Sequence, residues 1–281
     1  MAHVKTILVF LCALVLVGCS GVFYQGSSGE YTHPEKTGFQ WRELSFARPG
    51  GGRLSAALVP GRGTDSGRGL LIQFHGNAQN MTAHWLAFQW AVLRGWDLLV
   101  WDYSGYGTSD APVSQPQVAQ DADAFLGWVS DSILPRYSGP VVLVGQSLGA
   151  AVLTSAFPRW KDRAKATLVV AECGFSSYRE IARDRVALHW FTWPAWPFVT
   201  PLISDADAPK KSISRIAPTP FLILSCSEDE VIPRPFQVRM HDQAPGSLLW
   251  RVEGCHHIGA FRSDSIRVRF QALVDSLGRR S

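Results

Sequence analysis

A serine lies between two glycines in the stretch Gly145-Gln146-Ser147-Leu148-Gly149. The stretch follows the apolar run 140–145 and precedes a segment rich in small helix-forming residues. A G-x-S-x-G sequence between a strand and a helix is typical of a nucleophile elbow, a turn so tight that side chains beside the serine would clash. The elbow exposes the serine hydroxyl and places the next N–H beside it. We therefore predict that Ser147 is a nucleophile and that the Leu148 N–H is an oxyanion donor.

A serine hydroxyl needs a base to take its proton, and the base needs an acid to orient it. With this elbow the expected chain order is serine, then Asp or Glu, then His. Three carboxylates at 228–230 follow the apolar run 220–225, and His256 and His257 follow the run 247–252. Both groups stand where strands end, the edge at which open α/β sheets bind ligands. Adjacent residues of an extended loop point in opposite directions, so only one imidazole can face Ser147, and the residues alone favour His257 weakly.

Two further polar residues, His75 and Asp102, also follow apolar runs. Asp102 precedes Ser147 in the chain, against the expected order, and lies in the turn-forming stretch "DYSGYG", so we assign it to loop structure. His75 is expected to shape its own loop by packing or hydrogen bonding. No H-x-x-x-H pair or Cys/His cluster accompanies it, and we predict no metal.

The elements that must position these groups are visible as short apolar runs separated by segments of helical length. Most of the runs are apolar on both faces, as in strands covered by helices on both sides. The alternation predicts an α/β fold with a mostly parallel, doubly wound sheet. The predicted strands are 54–59, 70–74, 97–102, 140–145, 166–172, 220–225 and 247–252, and the clearest helical segments are 78–94, 115–131 and 148–160.

Five stretches together resemble the α/β-hydrolases of the BEM46-like serine hydrolase group, which is related to the serine aminopeptidase S33-type domain. They are "HGNAQNMTAHW", "WDYSGYGTSD", "GQSLGAAV", "EDEVIP" and "HIGAF", and the resemblance extends from about residue 41 to the C-terminus. It implies an α/β-hydrolase fold in which Asp229 is the acid and His257 the base. It also implies that the Asn77 N–H is the second oxyanion donor and that no cofactor is required. Two departures leave the substrate open: Ser104 replaces a usual Arg, and Ser225-Cys226 replaces a usual His-Gly.

The first 40 residues predict export and a lipid anchor. A basic start and an apolar run from 6 to 17 lead to Leu16-Val17-Gly18-Cys19, a stretch that resembles the bacterial lipoprotein box. We predict a signal peptide at 1–18, lipidation of Cys19, a flexible Gly/Ser-rich tether at 19–40 and a hydrolase domain at 41–281. Ser20 after the cysteine points to the outer membrane, facing the periplasm. In that oxidising compartment, Cys173, Cys226 and Cys255 could form one disulfide of undetermined pairing or remain three buried thiols.

A final segment interrupts the strand and helix rhythm. Residues 189–201 hold three Trp, two Phe and three Pro, and could be a lid, an irregular cover or a membrane patch. The net charge of +4 is small and no basic run is interleaved with aromatic residues, so no nucleic-acid partner is expected.

The sequence predicts a serine hydrolase acting on an ester, thioester or amide, with carboxylesterase or thioesterase activity favoured. The alternatives are an acyltransferase or peptidase with the same triad, and a binding lipoprotein without turnover. The oligomeric state stays open.

Overall fold

Eight strands form one sheet in the described part of the chain, which comprises residues 23–32, 34–63, 67–187, 201 and 203–279 of a computed structural model. The strands are β1 (Arg42–Ala47), β2 (Arg53–Val59), β3 (Gly69–Phe74), β4 (Trp96–Trp101), β5 (Val141–Gln146), β6 (Leu168–Glu172), β7 (Phe221–Cys226) and β8 (Leu248–Val252). Their order across the sheet is β1-β2-β4-β3-β5-β6-β7-β8. The pairs β1–β2 and β2–β4 are antiparallel, and the remaining pairs are parallel. The predicted mostly parallel sheet is confirmed.

Helices connect these strands. The α-helices are α1 (Met81–His84), α2 (Gln89–Val92), α3 (Gln115–Trp128), α4 (Leu148–Ala156), α5 (Tyr178–Ala187), α6 (Arg234–Asp242) and α7 (Asp264–Gly278). Single 3-10 turns lie at Pro34–Thr37, Trp85–Phe88, Leu134–Arg136, Phe157–Arg159, Arg163–Lys165, Pro209–Lys211, Ile213–Arg215 and Ala260–Arg262, and a π-helical turn follows α3 at Val129–Ile133. No helix among the described residues is long and apolar enough to cross a membrane.

The buried core lies on both faces of the sheet. Every residue of β3, β5, β6 and β7 is buried, because helices cover these strands on either side. On one face Phe74 packs against Trp101 and Phe125, and on the other face Leu71 belongs with Trp85 to a second cluster. Each such side chain contributes about 1.5–3 kcal/mol when it is removed from water. The carboxyl ends of the parallel strands are therefore held on a rigid support.

Two elements differ from the expectation. Strand β1 was not predicted, because it is an edge strand in which only Phe46 is fully buried, so its sequence shows no apolar run. The helical segment predicted at 78–94 is divided into α1, a 3-10 turn and α2. It begins only at Met81, because Ala78 and Gln79 adopt positive φ angles of 61° and 55°, which no right-handed helix allows.

The predicted tether also differs in the part that the structure describes. Tyr24 is buried, Gly26 pairs with Gln79, and Phe39 packs against Trp85. Because the segment is rich in Gly and Ser, its composition gave no sign that these aromatic residues are buried. Their burial holds the segment against the domain. The domain boundaries and the signal peptide stay predictions, since residues 1–22 lie outside the described residues, as does the aromatic segment 189–201 apart from its last residue.

Candidate active site

Ser147 stands at the turn between β5 and α4 with φ 53° and ψ −116°, a conformation that side-chain-bearing residues rarely adopt. Its backbone N–H donates to the carbonyl oxygen of Glu172 at 2.9 Å, and the Ala150 N–H donates to the Ser147 carbonyl oxygen at 3.0 Å. Strained backbone of this kind persists only where the surrounding structure fixes it. The predicted elbow is present, and Leu148 opens the helix that follows it.

The two glycines of the elbow are required by close backbone contacts. A Cβ on Gly145 would lie 2.5 Å from the carbonyl oxygen of Gly149. A Cβ on Gly149 would lie 2.1 Å from the carbonyl oxygen of Phe74, at the end of β3. Real Cβ atoms do not approach backbone oxygens so closely, so the G-x-S-x-G pattern follows from the packing of α4 against β3 and β5.

His257 lies beside Asp229. Its Nδ1 is 2.9 Å from both Asp229 carboxylate oxygens, and the Val231 and Ile232 N–H groups donate to Oδ1 at 2.9 and 2.7 Å. Burial acts to raise the pKa of Asp229, but the hydrogen bond and charge of His257 outweigh it, and the pKa lies below its ordinary value. The carboxylate is thus held ionised, with its orientation fixed by two backbone donors.

His256 faces the other way. Its side chain is 70% exposed, with Nε2 3.5 Å from Glu228 and Nδ1 3.4 Å from Glu230. The His257 side chain is only 14% exposed. Of the three neighbouring carboxylates, only the middle one, Asp229, points inward, and of the two histidines only His257 meets it.

Glu172, at the end of β6, connects the elbow to the histidine loop. Its backbone carbonyl accepts from Ser147, while its side-chain Oε1 accepts from the Ala260 N–H at 2.8 Å and Oε2 from Gln146 at 2.8 Å. The side chain is fully buried, and this burial raises its pKa. Sequence reasoning missed this residue. The available signal was a carboxylate closing the apolar run "ATLVVAE".

The loop after β3 lies against the elbow. A Cβ on Gly76 would be 3.7 Å from the Cβ of Ser147, so the next residue, Asn77, is a close neighbour of Ser147. The Asn77 side-chain oxygen accepts hydrogen bonds from the Gln25 N–H at 2.7 Å and from the Tyr106 hydroxyl at 3.1 Å. This is the loop that the resemblance assigns to oxyanion binding, and the structure brings it to Ser147.

His75 and Asp102 lie beneath this loop, in the structural positions expected of them. Nε2 of His75 is 3.2 Å from Oδ1 of Asp102, and its Nδ1 is 2.7 Å from the Gly76 carbonyl oxygen. Asp102 also accepts from the Met81 N–H at 2.7 Å, which ties it to α1. The neighbouring His84 is mostly buried, and this burial, followed by the charge of His75, lowers its pKa to about 4.

A disulfide joins Cys226 to Cys255, which resolves the alternative left open by the sequence. Cys173 is free and buried, and its sulfur accepts from the Ile258 N–H at 3.4 Å. Burial raises the pKa of the Cys173 thiol, which therefore stays protonated.

Cys173, Asp229 and His257 bring one donor atom each within 4.8 Å of one another, but a protonated thiol and a hydrogen-bonded Asp–His pair are poor metal ligands. The absence of a metal stays a prediction.

Comparisons with known proteins identify the family and the fold. A family model described as serine aminopeptidase S33 matches residues 65–211. The uncharacterised protein YfhR of Escherichia coli K12 is 27% identical over 238 residues, covering 83% of this chain and 78% of YfhR. Lysophosphatidylserine lipase ABHD12 of Danio rerio is 25% identical over 239 residues, which cover 81% of this chain and 56% of the lipase. An esterase of Pyrococcus furiosus superposes with a TM-score of 0.66 at 15% identity, covering 92% of this chain and 98% of the esterase. An α/β-hydrolase of Vibrio vulnificus superposes equally well, at 0.66 and 16% identity over 86% of this chain and 82% of that chain, which confirms the predicted fold.

Proposed function

Since the chain belongs to the serine aminopeptidase S33 family of hydrolases and has the α/β-hydrolase fold, we propose that it is a serine hydrolase that cleaves esters or thioesters through an acyl-enzyme. The observation that carries the proposal is the Asp229–His257 pair, at 2.9 Å, on loops beside a strained serine elbow. Two similar proteins, a lysophosphatidylserine lipase and an esterase, favour ester substrates over amides.

In the proposed reaction, Ser147 Oγ attacks the substrate carbonyl carbon while Nε2 of His257 takes the hydroxyl proton. Asp229, bonded to Nδ1, keeps the imidazole in the required tautomer and stabilises its cation. The Leu148 and Asn77 N–H groups bind the oxyanion, each donor contributing about 3–4 kcal/mol to the transition state. The leaving alcohol or thiol takes the proton back from His257. Water, deprotonated by the same base, then releases the acid and restores Ser147.

Labelling with a fluorophosphonate tests the nucleophile. The wild type should become covalently labelled and Ser147→Ala should not. A wild type that is not labelled would instead favour the alternative of a binding protein without turnover. Acyl esters, thioesters and aminoacyl amides assayed side by side, with and without an added alcohol acceptor, separate an esterase from a peptidase or an acyltransferase.

The adjacent histidines provide a matched pair for the base. His257→Ala should abolish turnover of a chromogenic ester, whereas His256→Ala should keep most of it, because the His256 imidazole is exposed and pairs with Glu228 and Glu230. The reverse result would assign the base to His256. Both variants should bind the ester with a similar Kd if only the proton transfer is affected.

We also propose a lipid anchor at Cys19, supported by the stretch Leu16-Val17-Gly18-Cys19 after an apolar run. Acyl chains on this residue would hold the enzyme on the outer membrane, with the domain in the periplasm. Cys19→Ala should prevent incorporation of labelled fatty acid and release or misprocess the protein. Continued membrane attachment without acylation would mean an uncleaved apolar anchor.

A further inference from the structure

Residues 23–32, which we call the N-terminal strap, lie across the loop that carries Asn77. Gly26 pairs with Gln79 in a parallel bridge, and the Ser27 N–H donates to the Gln79 carbonyl oxygen at 3.2 Å. Further along, the Thr32 N–H donates to the Thr82 carbonyl oxygen at 3.2 Å. The strap therefore follows the loop from the residues beside Asn77 as far as α1.

Asn77 itself is held by the strap. Its Oδ1 accepts from the Gln25 N–H at 2.7 Å and from the Tyr106 hydroxyl at 3.1 Å. Two donors on one amide oxygen fix the side-chain torsions, and through them the peptide plane whose N–H is the proposed oxyanion donor. One of the two donors comes from the strap.

The loop requires such support. Ala78 and Gln79 are consecutive residues with positive φ, a conformation that costs free energy for any residue with a side chain. A segment in this conformation keeps its shape only if its neighbours hold it. The contacts of the strap with Asn77, Gln79 and Thr82 flank the strained pair on both sides.

The strap is in turn fixed to the domain. Tyr24 is 4% exposed, and Phe23 packs edge-on against Tyr178 with ring centroids 5.5 Å apart. In its middle, the Ser27 carbonyl oxygen accepts from Asn80 Nδ2 at 2.8 Å and from the Gly107 N–H at 2.9 Å. These contacts make the strap a packed element of the site rather than a free linker.

We propose that the N-terminal strap positions the oxyanion loop, with Gln25 as a positioning residue that aligns the Asn77 N–H with the carbonyl attacked by Ser147. The proposal rests on the proposed serine hydrolase function. The segment next to the predicted anchor thereby becomes part of the catalytic structure. Loss of the strap contacts leaves the acid, the base and the nucleophile in place and weakens only transition-state binding.

Two glycines, one in the strap and one outside it, offer a matched test in the full-length chain. A Cβ at Gly26 would lie 2.2 Å from the carbonyl oxygen of Gly105, so Gly26→Ala must displace the strap. A Cβ at Gly127, in α3, would meet no atom within 4 Å outside its own helix, so Gly127→Ala is the control. We expect kcat to fall roughly 10–100-fold in the first variant at nearly unchanged KM, less than the loss for removing a whole oxyanion donor. The control should match the wild type.

A second readout separates positioning from general damage. A trifluoromethyl ketone, which forms an oxyanion on Ser147, should bind Gly26→Ala more weakly by the same factor as kcat falls, while the thermal midpoint stays close to that of the control. Equal kcat and equal ketone affinity in the two glycine variants would overturn the proposal. If Gly26→Ala does not fold, Gln25→Pro removes the N–H that the strap donates to Asn77 and must lower kcat and ketone affinity together, or the proposal fails. A wild type that reacts with no fluorophosphonate would overturn the proposed function itself, which distinguishes the two failures.

Discussion

Removal of the Cys226–Cys255 disulfide should weaken both the folded state and the alignment of the proposed acid with the proposed base. Cys226 ends β7, three residues before Asp229, and Cys255 lies two residues before His257. The Glu228 N–H also donates to the Cys255 carbonyl oxygen at 3.0 Å. The cross-link therefore joins the two loops that carry the pair, at their bases.

The expected loss of stability follows from the size of the closed loop. The two cysteines are 29 residues apart, and the chain-entropy relation gives about 3.6 kcal/mol for a loop of that size at 25 °C. With an m-value of roughly 3 kcal/mol/M in urea, the unfolding midpoint should fall by about 1 M. A displacement of His257 relative to Asp229 by about 1 Å would lower kcat by up to roughly 100-fold.

The assay is urea unfolding of the wild type with and without dithiothreitol, which changes the cross-link and no side chain. The double variant Cys226→Ala/Cys255→Ala should give the same midpoint as the reduced wild type and should not respond to dithiothreitol. Hydrolysis rates of the oxidised and reduced enzyme, measured without urea, report the catalytic effect. Equal midpoints for oxidised and reduced protein would refute the argument, since the bridge would then constrain nothing.

Three further predictions concern titratable groups of the site. Asp229→Asn should lower kcat by roughly 10³–10⁴-fold in an ester hydrolysis assay, because the wrong tautomer of His257 would be favoured, and a loss below tenfold would exclude Asp229 as the acid. Glu172→Gln removes a buried carboxyl that interacts electrostatically with His257. Without this negative charge, the acidic limb of the profile of kcat/KM against pH should move to lower pH. An unmoved limb would mean that the charge of Glu172 does not act on His257. His84 keeps a pKa of about 4, below its ordinary 6.5, so the unfolded chain binds the additional proton and stability falls as the pH drops from about 6.5 to 4. His84→Gln should reduce this loss between urea midpoints at pH 7 and pH 4.5, and an unchanged loss would contradict it.

The parallel strands and the elbow could be predicted from the sequence because both depend on local patterns. Runs buried on two faces must be apolar, and the turn at Ser147 requires glycine at 145 and 149. Edge strand β1 has no such signature, since only Phe46 is fully buried. Interruptions such as the positive φ angles at 78 and 79 arise from contacts with distant segments, which helical periodicity does not contain.

Other parts of the site depended on directions that the residues alone do not give. Three adjacent carboxylates and two adjacent histidines differ only in where their side chains point, and the family resemblance, more than the residues alone, selected Asp229 and His257. The pairing of Cys226 with Cys255 depends on two strands becoming neighbours in the sheet. Glu172 was overlooked because a carboxylate at a strand end is expected to be exposed to solvent unless its buried hydrogen-bond partners are known.

The docking of residue 25 on the oxyanion loop also sets a length. Gln25 lies six positions after Cys19 along the chain, and an extended chain of that length reaches about 20 Å at most. If Cys19 carries the proposed acyl chains, the short segment between Cys19 and Gln25 keeps Gln25, and with it the loop that carries Asn77, within about 20 Å of the lipid headgroups. The enzyme would then meet acyl compounds of the bilayer by diffusing in two dimensions along the membrane. The distance between the lipid anchor and the proposed active site would be limited by the fold instead of by a long flexible linker.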